Sequence, residues 1–289
     1  MGFASINELL QQTKEKNTSI CRLMMAHEAE LEGVSEDAVF AQMLENWQIM
    51  QKSIERGIKE APVSKSGLVG GDGQRLYHYS KGRTLCGQVV NEAVSYALAT
   101  AEVNASMGRI VACPTAGSCG IVPAVLESVQ QSLDLTDEEV TMGLFTSAAI
   151  GSVVAFKASV SGAVGGCQAE CGTASAMAAA AAVELAGGSP EAAINAAAMV
   201  IKNVLGLVCD PVAGLVEVPC VKRNAMGASL ALVCADMALA GITSRIPMDD
   251  VIMAMDMVAH ALPVSLKETA LGGLAATPSG QEIEKRVHS

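Results

Sequence analysis

The chain has 289 residues, a formal net charge of −11, a hydrophobic fraction of 51% and only 3% aromatic residues. That length makes one large domain or two small ones, and the acidity argues against a nucleic-acid partner, whose phosphates it would repel. The apolar excess is largely alanine, and an uncharged stretch such as Ile110–Leu126 is broken by Pro114, Gly117, Gly120 and Pro123, so no membrane span is expected.

In chain order, the first residues, MGFASINELLQQTKEK, carry glutamate and have no apolar core. They do not read as a secretory signal, and the expected compartment is the cytoplasm. Ser35 to Ala61 reads as one long helix. Ser35 is its N-cap, Glu36 and Asp37 fill the first turn, and Phe40, Met43, Leu44, Trp47, Met50, Ile54 and Ile58 recur at steps of three and four. Pro62 ends it, and residues 62–82 read as a glycine-rich loop, SKSGLVGGDG at its centre. Residues 88–107 are helical again. Thr136 and Glu139 make a capping box for a helix running towards Phe156. Pro190, at the first helical position after Ser189, opens a helix to about Val204. Asn224–Ala240 and Met248–Ala261 are further helices. No strand pattern alternates with them. The expectation is an all-α, single helical domain whose Gly/Cys-rich segments, at 62–82, 109–119, 158–171 and 205–223, carry the chemistry.

Nine cysteines occur. With no export signal, disulfides are not expected. Cys21, Cys86 and Cys234 lie in helical patterns and read as small buried hydrophobes. Cys113 and Cys119 flank the turn PTAGS. Cys167 and Cys171 are spaced one helical turn apart, after Gly165 and Gly166. Cys209 and Cys220 enclose a Pro- and Gly-containing loop. Thiolates on irregular backbone suit zinc or an iron–sulfur cluster, and from spacing alone metal ligation and buried thiols both stay open.

PTAGSCGIVPAVL, SGAVGGCQAECG and LGLVCDPVAGLVEVPCVKRNA resemble the signature segments of the iron–sulfur-dependent L-serine dehydratases. SGLVGGDG and KETALGGLAATPSG are similar to the α chain of the two-subunit type, and the likeness runs from about residue 20 to the end. It implies conversion of L-serine to pyruvate and ammonia, a [4Fe-4S] cluster held by Cys167, Cys209 and Cys220, no pyridoxal phosphate, and a separate β chain. Cys171, Cys113 and Cys119 do not match ligand positions. Single-chain relatives end in a cysteine that reaches the cluster; this chain ends EKRVHS, which leaves the fourth iron's ligand open. Under the same likeness, Thr115, Ser118 and the N–H groups of the turn before Gly120 are candidates to bind the substrate carboxylate, Ser66 and its glycines form a second anion nest, and Arg223 supplies charge near substrate or cluster. The base that takes the α-proton is unassigned among His78, His260, Asp210, Glu28, Lys222 and a water ligand. The competing readings are a cluster-dependent lyase acting on cysteine or threonine, a pyridoxal-phosphate dehydratase, and a non-catalytic iron–sulfur redox sensor.

Overall fold

The computed structural model describes residues 3–289. Its α-helices are α1 (Ile6–Lys16), α2 (Ile20–Glu32), α3 (Glu36–Glu60), α4 (Asp72–Ser80), α5 (Gly87–Ala105), α6 (Ile121–Leu133), α7 (Asp137–Lys157), α8 (Gly162–Gly165), α9 (Cys167–Leu185), α10 (Pro190–Val204), α11 (Cys220–Leu239), α12 (Met248–Ala261) and α13 (Pro278–Val287). Among the described residues the only β-type pairings are two isolated bridges, Val63 with Gly70 and Cys209 with Lys267.

The predicted starts of α3, α7 and α10 are set by local capping. Ser35 accepts the N–H of Ala38, Thr136 and Glu139 form both halves of a capping box, and Ser189 accepts the N–H of Ala192. Helix α9 lies at the centre. Apart from Glu170, every residue from Cys167 to Val183 is buried, and α9 packs on α10, α7, α11 and α6. Its alanines and glycines let those neighbours approach closely, which is how a core with few large rings fills its space. Being apolar on all sides, it has no stripe for periodicity to reveal, and the sequence reading missed it. Helix α7 corrects the membrane expectation in part. It is long and apolar enough to cross a bilayer, with a mean hydropathy of 1.5 over its best window. Yet 67% of that window is buried inside the protein, so its apolar surface already has protein partners.

Two predicted loops are partly helical. Within 62–82, residues 72–80 form α4, because Glu102 on α5 accepts the N–H groups of Asp72 (2.8 Å) and Gly73 (3.3 Å). A carboxylate from another helix thus supplies the cap that the local sequence lacks. Within 158–171, α8 and the first turn of α9 replace the loop. Helix α11 also begins four residues earlier than predicted, at Cys220, so Lys222 and Arg223 are helical.

Helices α3 and α4 both press on Ala99 of α5. A Cβ built on Gly57 falls 2.4 Å from the Ala99 carbonyl oxygen, and one on Gly73 falls 2.6 Å from the Ala99 nitrogen. Backbone cannot yield as a flexible side chain can. Gly73→Ala should therefore lower stability by about 1–3 kcal/mol, the ordinary cost of overpacking. The urea midpoint measures this, and an unchanged midpoint would show that α4 does not hold this position.

Candidate active site

The cysteine segments meet where α9 and α11 begin. Cys167 is the first residue of α9 and Cys220 the first of α11, while Cys209 lies in the link after α10. All three are buried, and all nine cysteines are free thiols. Gln168 anchors the start of α9: its side chain donates to the Met255 carbonyl (3.1 Å) and accepts the N–H of Gly206 (2.9 Å). Buried Asn224 ties α11 to the 116–120 turn. It donates to the carbonyls of Gly117 (2.7 Å) and Cys220 (3.0 Å) and accepts the N–H of Gly120 (2.9 Å). A third segment, residues 263–277, straps over the link. Cys209 N–H donates to the Leu266 carbonyl (2.9 Å) and Glu268 N–H to the Cys209 carbonyl (2.8 Å).

One residue organises the electrostatics. Arg223 donates to the Cys167 sulfur (3.3 Å), the Val208 carbonyl (2.8 Å) and Asp210 Oδ1 (2.8 Å). The pair with Asp210 is buried, and Asp210 Oδ2 also accepts the N–H of Leu274 in the strap (2.8 Å). Hydrogen bonds from the Cys171 and Cys209 thiols, with help from the Arg223 guanidinium, hold the Cys167 thiol well below the usual thiol range despite its burial. Cys209 and Cys171 are raised, because each donates to the Cys167 thiolate, and burial pushes Cys220 up to about 12. One thiolate is therefore stabilised and its neighbours act as donors. The charged side chains facing this group are Arg223, Glu170 and Glu268.

Glu170 is a site residue that sequence reasoning missed. Its ligand oxygen and the sulfurs of Cys167 and Cys171 lie within 4.8 Å of one another. Thr115 Oγ1 donates to Glu170 Oε1, and the turn covers that oxygen so closely that a Cβ on Gly117 would lie 2.5 Å from it. Burial pushes the Glu170 carboxyl up to about 7, against the hydrogen bond from Thr115. The signal was available in CQAEC. Once the segment is helical, residues 167, 170 and 171 share a face. Cys171, set aside on the resemblance, also belongs to this spatial group. The donor set, four soft thiols and a carboxylate beside a guanidinium, fits an iron–sulfur cluster in kind.

Residues 15–275 match the family model for the serine dehydratase alpha chain. The chain belongs to that family. It is 54% identical over 286 residues to the probable L-serine dehydratase alpha chain of Bacillus subtilis, covering 99% of this chain and 95% of that one. It is 42% identical over 279 residues to the L-serine dehydratase alpha chain of Peptoniphilus asaccharolyticus, covering 96% of each. The L-serine dehydratase of Streptomyces coelicolor is 39% identical over 281 residues; the match takes in 94% of this chain but only 60% of that longer protein.

In this member of the family the predicted residues fall as follows. Arg223 is at the cysteine site. Thr115 and Ser118 line its edge, with Thr115 donating to Glu170 and fully buried Ser118 directed at the Cys113 carbonyl (3.3 Å). Ser66 reaches the cysteine loop indirectly, because its hydroxyl donates to Glu217 Oε2 (2.5 Å), as does that of Ser64 (2.7 Å). Some N–H groups of the expected anion nests are used internally: Gly120 N–H serves Asn224, and Asp72 and Gly73 N–H serve Glu102. Of the candidate bases, Asp210 is bound to Arg223 and Lys222 to Asp72. His260 is exposed beside Asp256, exposed His78 stands edge-on to Tyr77, and Glu28 lines a groove with Val39 and Phe145.

Proposed function

We propose that this chain is the α subunit of an L-serine dehydratase, releasing pyruvate and ammonia from L-serine by elimination of the β-hydroxyl at a [4Fe-4S] cluster held by Cys167, Cys209 and Cys220. The observation that carries the reading is the gathering of those three thiols from three separate segments, Cys209 hydrogen-bonded to Cys167 and both Cys167 and Cys220 within the field of Arg223. Such a cluster, when bound, supplies a Lewis acid for a hydroxide that is otherwise a poor leaving group.

The chain's own residues supply the rest. Hydrogen bonds from Cys171 and Cys209, supplemented by Arg223, hold the Cys167 thiol in its anionic, ligating form, and the guanidinium offsets negative charge that a buried site would otherwise reject. Asp210 fixes the guanidinium and, through the N–H of Leu274, fastens the strap. Glu170 sits half-buried with its carboxyl near neutrality, the range in which a carboxyl can exchange a proton with a substrate. It is the candidate to take the α-proton, with Thr115 fixing its orientation.

A separate β chain completes the enzyme in this reading, in the cytoplasm. The names of the relatives support it, as does the longer Streptomyces protein, of which the match covers 60%. The apolar residues Val164, Val264 and Leu271 beside the site are exposed and suit cover by a partner.

Anaerobic reconstitution with iron and sulfide, followed by a pyruvate assay with L-serine, tests the proposal. Turnover should require iron and rise on addition of the β chain. Equal turnover by chelator-stripped protein, or none with both chains present and the cluster loaded, would overturn it.

A further inference from the structure

Two carboxylates and one sulfur face the same glycine. A Cβ built on Gly162, the first residue of α8, would lie 3.1 Å from Glu170 Oε2, 3.2 Å from Cys209 Sγ and 3.4 Å from Glu268 Oε2. A methyl there would press on all three atoms. The two carboxylate oxygens are thus within one small molecule's width of each other and of the cysteine site.

Among the described residues neither carboxylate has an ion-pair partner. Glu170 takes its one hydrogen bond at Oε1, from Thr115, which leaves Oε2 facing Gly162. The charged groups that act on Glu170 are Cys167 and Glu268, both acidic. Arg223 is committed to Cys167, Val208 and Asp210. Two like charges brought together beside the Cys167 thiolate destabilise the site unless a cation joins them.

The backbone also bears a cost to put Glu268 there. Glu268 has φ +62° and Ala270 has φ +56°. Non-glycine residues in this left-handed region carry backbone strain. The bonds of Cys209 to Leu266 and Glu268 hold the strap in that conformation, with the exposed Glu268 side chain at the outer edge of the site and Glu170 at the inner one.

We infer that Glu170 and Glu268 seat the ammonium group of the α-amino-acid substrate, with Gly162 keeping the seat open. An ammonium has three donors and no acceptor, and the two carboxylate oxygens facing Gly162 are acceptors. The seat makes the chain select amino acids over hydroxy acids of the same length. It rests on the dehydratase reading, and it assigns the recognition of the amino group to residues of α9 and the strap.

The test compares L-serine with 3-hydroxypropanoate, which lacks the amino group, on the reconstituted protein with its β chain under anaerobic conditions. Dissociation constants come from calorimetry, and KM and kcat from pyruvate release. Glu268→Gln should weaken L-serine binding by about tenfold or more, the loss expected for one charge-assisted contact, while changing 3-hydroxypropanoate binding by no more than about twofold. Glu170→Gln should shift the binding ratio the same way, and Gly162→Ala should do so by filling the seat. An unchanged ratio of the two dissociation constants in Glu268→Gln would overturn the inference, as would an equal loss for both ligands. Binding is read apart from turnover, so the two ideas fail separately. Wild-type protein that binds in the expected ratio but makes no pyruvate removes the dehydratase reading alone; active protein with an unshifted ratio in the variants removes the seat alone.

Discussion

Arg223→Met should destabilise the cluster-free chain by about 3–5 kcal/mol, the loss typical when one partner of a buried ion pair is removed. The substitution keeps much of the side-chain volume but strands Asp210, whose side chain is only 5% exposed. It also removes the donor to Cys167 and to the Val208 carbonyl, both within the cysteine site. Two measurements separate these effects. The urea midpoint reports the stranded charge, and the Asp210→Asn/Arg223→Met double variant should recover part of it, because no uncompensated charge then remains. Ultraviolet thiolate absorbance against pH reports Cys167, whose thiol should ionise at higher pH without the guanidinium. Arg223→Lys keeps a charge but not the fork that reaches three acceptors, so it should fall between wild type and Arg223→Met. Wild-type stability and wild-type thiol ionisation in Arg223→Met would show that the residue is a bystander.

Glu170→Gln should make the cluster-free chain more stable at neutral and alkaline pH while impairing the enzyme. Burial raises the Glu170 carboxyl from 4.5 to about 7, so the folded chain holds that proton more tightly than the unfolded chain does. The unfolded chain loses its proton first, and stability falls as pH rises through this window. At roughly 1.4 kcal/mol per pH unit, the ionised form costs the fold about 3 kcal/mol above pH 7 and nothing well below 4.5. Glutamine keeps an acceptor for Thr115 and carries no charge to bury. The variant should therefore lose this falling limb and exceed wild type by about 2–3 kcal/mol at about pH 8. Urea titrations across the pH range check it. A wild-type pH profile in Glu170→Gln would mean that Glu170 titrates like an exposed carboxylate. Improved stability with reduced turnover is the trade expected of a site residue held in a costly state.

Much of the fold was legible wherever the helix signals are local. Ser35, the Thr136–Glu139 box and Ser189-Pro190 each mark a start that the structure reproduces within a residue. The signals failed where tertiary contacts decide. Helix α4 is capped by Glu102, thirty residues away, so the sequence showed only its glycines. Helix α9 has no polar face and hence no period. The site followed the same division. Cys167, Cys209, Cys220 and Arg223 stand in distinctive segments, and the structure brings them together. Glu170 was hidden because its segment read as loop, which removed the spacing argument that places it beside Cys167. Glu268 lies in a strap that reaches the site through an isolated bridge and the Leu274–Asp210 hydrogen bond, contacts no local pattern encodes. Ser66 shows the converse, a residue picked out by its glycine-rich surroundings whose hydroxyl is directed to Glu217.

The proposed ligand set for the cluster is Cys167, Cys209 and Cys220, without the neighbouring Cys171. It is tested most directly by iron, acid-labile sulfide and Mössbauer analysis of anaerobically reconstituted single-serine variants. Cys167→Ser, Cys209→Ser and Cys220→Ser should each lose the [4Fe-4S] signature, while Cys171→Ser and Cys234→Ser keep it. Full cluster content in Cys209→Ser or Cys220→Ser, or its loss in Cys171→Ser, would contradict the account.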